Sequence, residues 1–386
     1  MNDDTKMVQI LENVRIVKSS EIAEIKEALD PILYVPDIHV KGKIIEELTS
    51  YLEEKMQNPD YKIGVFIAYS GSEVKGFAIA QINPYYTSYS KKCGTFGWLH
   101  AYDFDICQQL VRQCEYFIKN NGIRKIRGCV SFPKNLGGLG IQFMGFEQQM
   151  MYSVGYTDPK SYVIEYLTQL GYKKDSEYTC VHVVQQSWEK GRRVDKNVRL
   201  GFATTEELRE YADAILELAS GSFYQIMPDR SGGNHLYDFF DAYSELPESF
   251  YTLKEDVRFE DFSTLPEYIN AWESCDLERI QPYVPMAFDK FTGELVGIIL
   301  CLPDLYQAWR GEPITRVNVD TAMVKKGYYG RGIFSALNNI GQLTCIMRGL
   351  TYFEGTSIWS NNTRAIDTIF PHCRPIRKHL VMQKRL

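Results

Sequence analysis

The residues best suited to chemistry fall in one short stretch, Val324 to Phe334. There, glycines at 327, 330 and 332 are interleaved with Lys325, Lys326 and Arg331. Before it, Val317, Val319, Thr321 and Met323 alternate with Asn318, Asp320 and Ala322, a period of two that predicts a strand. After it, Ile333, Phe334, Leu337, Ile340, Leu343 and Ile346 recur three or four apart, which predicts an amphipathic helix. A glycine turn at such a junction presents unpaired backbone N–H groups at the positive end of a helix dipole. Without side chains at Gly330 and Gly332 a pyrophosphate can approach the backbone, and the basic residues add positive charge. No Gly-Lys-Ser/Thr follows, which excludes a Walker nucleotide loop. Nor does a second strand end in an acidic residue about twenty positions on, as a dinucleotide site requires.

Groups able to move protons stand around this turn. Asp320 lies upstream on the polar face, and Glu354 lies on the next expected strand, Tyr352 to Ser360. Either could take a proton from an amine, and either could instead be a salt-bridged carboxylate. Tyr328 in the turn and His372 further on are candidate acids. Asn362 could bond a ligand or cap the helix that follows it. The nine cysteines form no CxxC pair and the six histidines have no metal-ligand spacing, so no metal is expected. Most of the cysteines sit in apolar segments and read as buried hydrophobes of a reducing compartment.

The strand, turn and helix belong to a longer series that occurs twice. In the first half, strands are expected over Met7 to Val17, Cys93 to His100, Lys125 to Phe132 and Tyr178 to Val184. Helices are expected over Glu21 to Leu33, Lys43 to Met56 and Ile106 to Asn120, with another opened by Asp158-Pro159. Tyr61 to Tyr69 and Glu73 to Ile82 should form a hairpin turning at Gly71. In the second half, Val198 to Ala203 should be a strand and Thr205 should open a helix whose Thr-x-x-Leu lacks the acid of a capping box. Tyr283 to Phe288 and Glu294 to Leu302 make a hairpin, and Lys378 to Arg385 a final strand. Asp229 to Asn234 and Glu255 to Glu260 are expected to be irregular additions. The polar stretch Gln185 to Asn197 is the natural linker, dividing the chain into domains 1–187 and 196–386.

Composition bounds the function. The 386 residues are 45% hydrophobic and 24% charged, ordinary for two globular domains. A net charge of −6 argues against a general nucleic-acid binder. With no long apolar run and no secretory leader, a cytoplasmic protein without a membrane partner is expected.

Tyr329-Gly330-Arg331-Gly332-Ile333-Phe334, followed by Ser335-Ala336-Leu337, resembles the acyl-CoA pyrophosphate loop of the GCN5-related N-acetyltransferases, the GNAT superfamily. That loop usually reads Arg/Gln-x-x-Gly-x-Gly/Ala before a helix with an early Leu. Gly332 matches its central glycine, while Tyr329 and Phe334 depart from its outer positions. Asn362-Thr363-Arg364-Ala365 is similar to the Asn-x-x-Ala that opens the superfamily's last helix. The repeated element order, with Phe96-Gly97-Trp98, Gly137-Gly138-Leu139 through Gly145-Phe146 and Leu302-Pro303-Asp304-Leu305, resembles a bacterial group of tandem GNAT proteins.

The resemblance implies an α/β (α+β) fold of two tandem domains, each a mixed, mostly antiparallel sheet flanked by helices. It implies acetyl-CoA, or another acyl-CoA, as cofactor and direct acyl transfer to an amine of a small molecule or peptide. It places the Met323 and Val324 backbone at the thioester. Lys326, Gly330, Arg331, Gly332, Ile333 and Phe334 fall at the pyrophosphate, and Asn362 at the pantetheine or the helix start. The superfamily's usual acid, a Tyr in the last helix, falls at Ile369 with Phe370 beside it. Tyr328, Tyr329 and His372 are left as substitutes.

The first half has Ala101-Tyr102-Asp103-Phe104-Asp105 where its phosphate loop should be, with no glycine and two carboxylates that would repel a phosphate. Either acid could instead cap the helix, which is equally incompatible with CoA. That half is therefore expected to be a scaffold walling the other's substrate pocket, with Gly137 to Gly140 as a flexible loop over it. Leu305 to Gly311, carrying Tyr306, Trp309 and Arg310, is expected to cover the acceptor site and to favour an acceptor with apolar surface. Two alternatives stand beside the enzyme. One is a degenerate, non-catalytic pair that binds a metabolite or partner. The other is a Fem-like aminoacyl-tRNA-dependent transferase, against which the acidic charge counts.

Overall fold

The computed structural model describes residues 14–184, 194–222, 228–230, 234–251, 266–363, 366 and 372–386. The first half runs β1 (Val14–Ser19), α1 (Ile22–Ile32), α2 (Ile38–Gln57), β2 (Lys62–Ser70), β3 (Glu73–Ile82), the short β4 (Thr87–Ser88) and β5 (Lys91–Lys92), and β6 (Gly94–Ala101). It continues with α3 (Phe104–Asn120), β7 (Lys125–Gly128), α4 (Lys134–Gly137), β8 (Ile141–Met144), α5 (Val163–Gln169) and β9 (Lys173–Val183). The second half runs β10 (Val198–Gly201), α6 (Thr205–Glu210), α7 (Ala212–Ser222), β11 (Asp229–Arg230), α8 (Asn234–Ser244), α9 (Pro266–Glu273), β12 (Met286–Asp289) and β13 (Leu295–Pro303). It ends with α10 (Leu305–Trp309), β14 (Arg316–Val324), α11 (Ile333–Met347), β15 (Tyr352–Trp359) and β16 (Cys373–Arg385).

Most strands join one 13-stranded sheet in the order β1-β2-β3-β6-β7-β16-β9-β15-β14-β13-β12-β10, with β8 on the side of β16. Pairing is antiparallel except for β6–β7 and β14–β15, the two places where a helix crosses over. The last strands of the halves are exchanged. β16 lies between β7 and β9, and β9 lies between β16 and β15. Each half's parallel strand is therefore flanked by the last strand of the other half, and the two sheets become one.

The same packing device positions the crossover helix in each half. Gly76 on β3 faces α3, where an added Cβ would stand 2.6 Å from Ile106. Gly297 on β13 faces α11, where an added Cβ would stand 2.9 Å from Ile333. Only glycine lets these helices lie that close to their strands. The apolar face of α11, with Ile333, Leu337, Ile340 and Leu343, is fully buried there.

Several expectations change. The α6 N-cap is Thr204 rather than Thr205, and Glu207 closes a complete capping box. Asp158 accepts the Lys160 N–H in a turn, and the helix starts later, at Val163. Asp229–Arg230 is a strand, antiparallel to β4 in the first half. Asp229 is wholly buried there, accepting from Arg127 Nε at 2.8 Å, Ser176 Oγ at 3.0 Å and Tyr178 Oη at 2.5 Å, which locks the halves together. The first residues of the strand expected from Met7, most of the expected linker, the rest of the 229–234 addition up to Asn234, and Glu255 to Glu260 lie outside the described residues. Among those described, no helix is long and apolar enough to cross a membrane.

Candidate active site

β14 pairs with β15 only from Arg316 opposite Tyr352 to Val319 opposite Gly355. Beyond that the two strands part, and the second half of β14 keeps β13 as its partner. The β13 register slips at the same level. Leu300 faces Thr321 and Cys301 faces Val319, so Asp320 is the extra residue of a bulge. The bulge bends β14 where it leaves β15. Further along, the Lys325 N–H donates to Val296 O at 2.8 Å. Alternation along the strand then turns the Met323 backbone toward β13 and the Ala322 and Val324 backbone toward the gap. Of the two expected thioester donors, Val324 faces the opening, and Ala322 joins it.

A 3-10 turn, Lys326–Tyr328, leads from β14 into the glycine turn. Gly330 and Gly332 have φ of 79° and 75°, the left-handed region that glycine enters without strain. Gly332 is the N-cap of α11 and supplies no side-chain cap, so the first turn of this 15-residue helix keeps its N–H groups for a ligand. The space around the Gly330 Cα is open. Lys326 and Arg331 are exposed at the rim. Arg331 lies over the Tyr328 ring at 4.6 Å, donates to Gly327 O at 3.1 Å and pairs with Asp195 at 3.3 Å. The Asn362 N–H donates to Trp359 O at 2.7 Å, so Asn362 turns the chain at the gap end of β15. Arg364, Ala365, Ile369 and Phe370 lie outside the described residues.

The other expected proton carriers stand apart from this gap. The Tyr328 hydroxyl donates to Asp289 at 2.7 Å. Asp289 ends β12, two strands from β14 on the side away from β15, so this phenol fastens the turn to the β12–β13 hairpin. Glu354 is fully buried, paired with Arg377 and accepting from Tyr352 Oη at 3.3 Å. Burial pushes its carboxyl up to about 7 against the pull of Arg377 and Arg316. Beside it, Arg316 pairs with Asp304 at 3.2 Å and donates to Met150 O at 2.6 Å. Asp304 also accepts the Tyr152 N–H, at 3.1 Å. These groups join the halves under the paired end of β14 and β15. His372 precedes Cys373, which sits opposite Val183, itself opposite Phe353. That is the paired end of the strands, remote from the glycine turn.

Among the described residues, Asp320 is the acid on β14 where it leaves β15. It is partly buried, and Thr321 Oγ1 donates to it at 2.9 Å. The α10 side chains pack against the first half. Tyr306 is buried and packs edge-on against Tyr152, and Arg310 pairs with Asp37 of the first half at 2.8 Å. Gly137 to Gly140 is likewise packed rather than loose, since a Cβ on Gly138 would stand 2.2 Å from the Gly155 nitrogen.

The corresponding place in the first half is closed. Asp103 is the N-cap of α3 and accepts the Ile106 N–H at 2.9 Å. The Trp98 N–H, where β6 has parted from β7, donates to Ser131 Oγ at 2.9 Å. The helix N-terminus that remains open in the second half is thus capped in the first. Asp289, Asp195 and Arg377 were not singled out from sequence. Each is an ordinary charged residue whose partner lies far along the chain, and no local spacing marks it.

No family model and no curated protein sequence matches the chain. Solved structures do. A tandem GNAT protein from the clavulanic acid biosynthesis pathway superposes with a TM-score of 0.54 at 12% identity, over 96% of this chain and 98% of its own. A GCN5-related N-acetyltransferase from Sphaerobacter thermophilus gives 0.50 at 10% identity, over 96% and 95%. A probable N-acyltransferase from Enterococcus faecalis gives 0.52 at 11% identity, over 96% and 72%. The parted parallel strands, the bulge and the glycine-started helix are thus set in a chain that has the tandem GCN5-related N-acetyltransferase fold over nearly its whole length.

Proposed function

We propose that the protein is an acyl-CoA-dependent N-acyltransferase whose second half, 196–386, holds the acyl-CoA while the first, 1–187, serves as scaffold. The observation that carries this reading is the contrast between the two crossover helices: α11 opens on an uncapped glycine, and α3 is closed by Asp103. The residues present fit the cofactor. The Ile333 and Phe334 amides, with Gly330, Gly332, Lys326 and Arg331, would hold the pyrophosphate. The Ala322 and Val324 amides would hold the thioester carbonyl, and Asn362 lies at the pantetheine end. Bound acetyl-CoA supplies an activated acyl group.

Asp320 then has the task of taking a proton from the attacking amine, directly or through water. It stands at the bulge where β14 leaves β15, and it is partly buried. The Ala322 and Val324 N–H groups stabilise charge developing on the carbonyl oxygen. The acceptor is an amine of a small molecule or peptide. A second reading, a non-catalytic ligand-binding pair, draws on the placement of Tyr328, Glu354 and His372 away from the gap. Release of free thiol from acetyl-CoA, followed with a panel of primary amines, separates the two. Amine-dependent release supports the enzyme, and binding without any release supports the module.

A further inference from the structure

The last backbone pair shared by β14 and β15 is Val319 opposite Gly355, and each strand bulges immediately beyond it. On β14 the extra residue is Asp320. On β15, Thr356 and Ser357 together stand opposite the single Cys180 of β9, between the Gly355–Val181 and Ile358–Thr179 pairs. Ser357 has φ of 51°, a left-handed conformation that costs energy for a residue other than glycine and persists only where its surroundings hold it.

A buried side-chain bond joins this second bulge to β14. Thr356 Oγ1 donates to Asn318 Oδ1 at 2.7 Å, and Asn318 Nδ2 donates to Tyr152 O at 3.2 Å. Asn318 and Thr356 are both buried. Tyr152 belongs to the first half, whose segment 149–152 lies along the paired end of the two strands. The carbonyls of Gln149, Met150 and Tyr152 accept there from Arg377, Arg316 and Asn318 in turn.

A parallel strand that went on pairing would spend its carbonyls on the free N–H groups of its neighbour. If β15 followed β14 past Gly355, it would take up the Ala322 and Val324 N–H groups, and neither would remain for a thioester. The β15 bulge ends that pairing, and the Thr356–Asn318 bond fixes the bulge to β14 at that level.

We infer that Asn318 and Thr356 are positioning residues. Anchored to the first half through Tyr152, their bond sets where the strands part and keeps the thioester donors free. This role rests on the acyl-transfer reading, and it gives the first half a part in transfer without a cofactor of its own.

The test uses the full chain with acetyl-CoA, and with tyramine, spermidine and a lysine-containing peptide as amines. Thr356→Val keeps the branched side chain and removes the hydroxyl, whereas Thr356→Ser keeps the hydroxyl. With the amine that the wild type acetylates fastest, Thr356→Val should lower kcat at least about tenfold, as misplaced reacting groups do. Its calorimetric affinity for CoA should stay nearly constant, because α11 still holds the pyrophosphate. Thr356→Ser should recover most of kcat, and Thr356→Ala should match Thr356→Val, so the result does not hang on the folding of one variant. A merely structural weakening would lower CoA affinity along with kcat and would not follow the hydroxyl. Wild-type kcat in Thr356→Val, a loss shared by CoA affinity, or a loss that Thr356→Ser does not recover overturns the role and leaves the enzyme standing. If the wild type releases no thiol with any of these amines, the acyl-transfer reading fails and this role falls with it, which is seen before any variant is compared.

Discussion

Asp103 accepts the Ile106 N–H at 2.9 Å and thereby closes the N-terminus of α3, the helix that corresponds to the open α11. That bond makes two similar halves chemically unequal. Asp103→Ala should cost about 1 kcal/mol, the usual worth of an N-cap, and lower the urea midpoint accordingly. It should not create a second CoA site, because Asp105 remains in the first turn of α3 and would repel a phosphate.

Gly332→Asp tests the open helix. An acidic side chain at the N-cap would both bond the free amides and repel a pyrophosphate. Acetyl-CoA affinity should fall at least about a hundredfold, roughly 2.7 kcal/mol, while far-UV circular dichroism stays unchanged. Unaltered affinity would remove the cofactor assignment.

Asp320→Asn keeps shape and hydrogen bonding but removes the base. Turnover should fall about a hundredfold with CoA affinity nearly constant. Glu354→Gln should behave differently. It leaves Arg377 buried without its counter-charge, so it should cost about 3 kcal/mol of stability, read by urea denaturation. If Glu354→Gln instead lost turnover at full stability, the two roles would be reversed.

Much of this was legible in the sequence, and the failures have physical causes. Periodicity and glycine punctuation located β14, the glycine turn and α11, because those signals are local. The exchange of β9 and β16 was not legible, since either strand's alternation suits either neighbour. The pairing of Glu354 with Arg377 was not legible, because a strand position says nothing about a partner on β16. The packing of Tyr306 and Arg310 on the first half was not legible, because an aromatic cluster reads alike whether it faces a ligand or the other half. The capping box was misplaced by one residue because Thr204 and Thr205 are adjacent and only backbone geometry chooses between them.

His379 sets an expectation for pH. It is buried, with Nε2 at 2.9 Å from Gly155 O, and burial lowers its pKa from 6.5 to about 4. The folded protein keeps this ring neutral where the unfolded chain protonates it. Its contribution to stability is therefore complete above about 6.5 and is lost as pH falls toward 4. Glu354 and Asp304, raised to about 7 and about 6, act with the opposite sign. The comparison is accordingly with His379→Gln, in which the loss of stability between pH 6.5 and 4 should be smaller than in the wild type. An identical pH profile in urea denaturation would show that the buried imidazole does not carry it.

The central claim is that one half of this duplicated fold binds acyl-CoA and the other does not. Calorimetric titration of the full chain with acetyl-CoA measures this directly. One site per chain is predicted, weakened by Gly332→Asp and untouched by Asp103→Ala. Two equivalent sites, or no binding at all, would contradict the account.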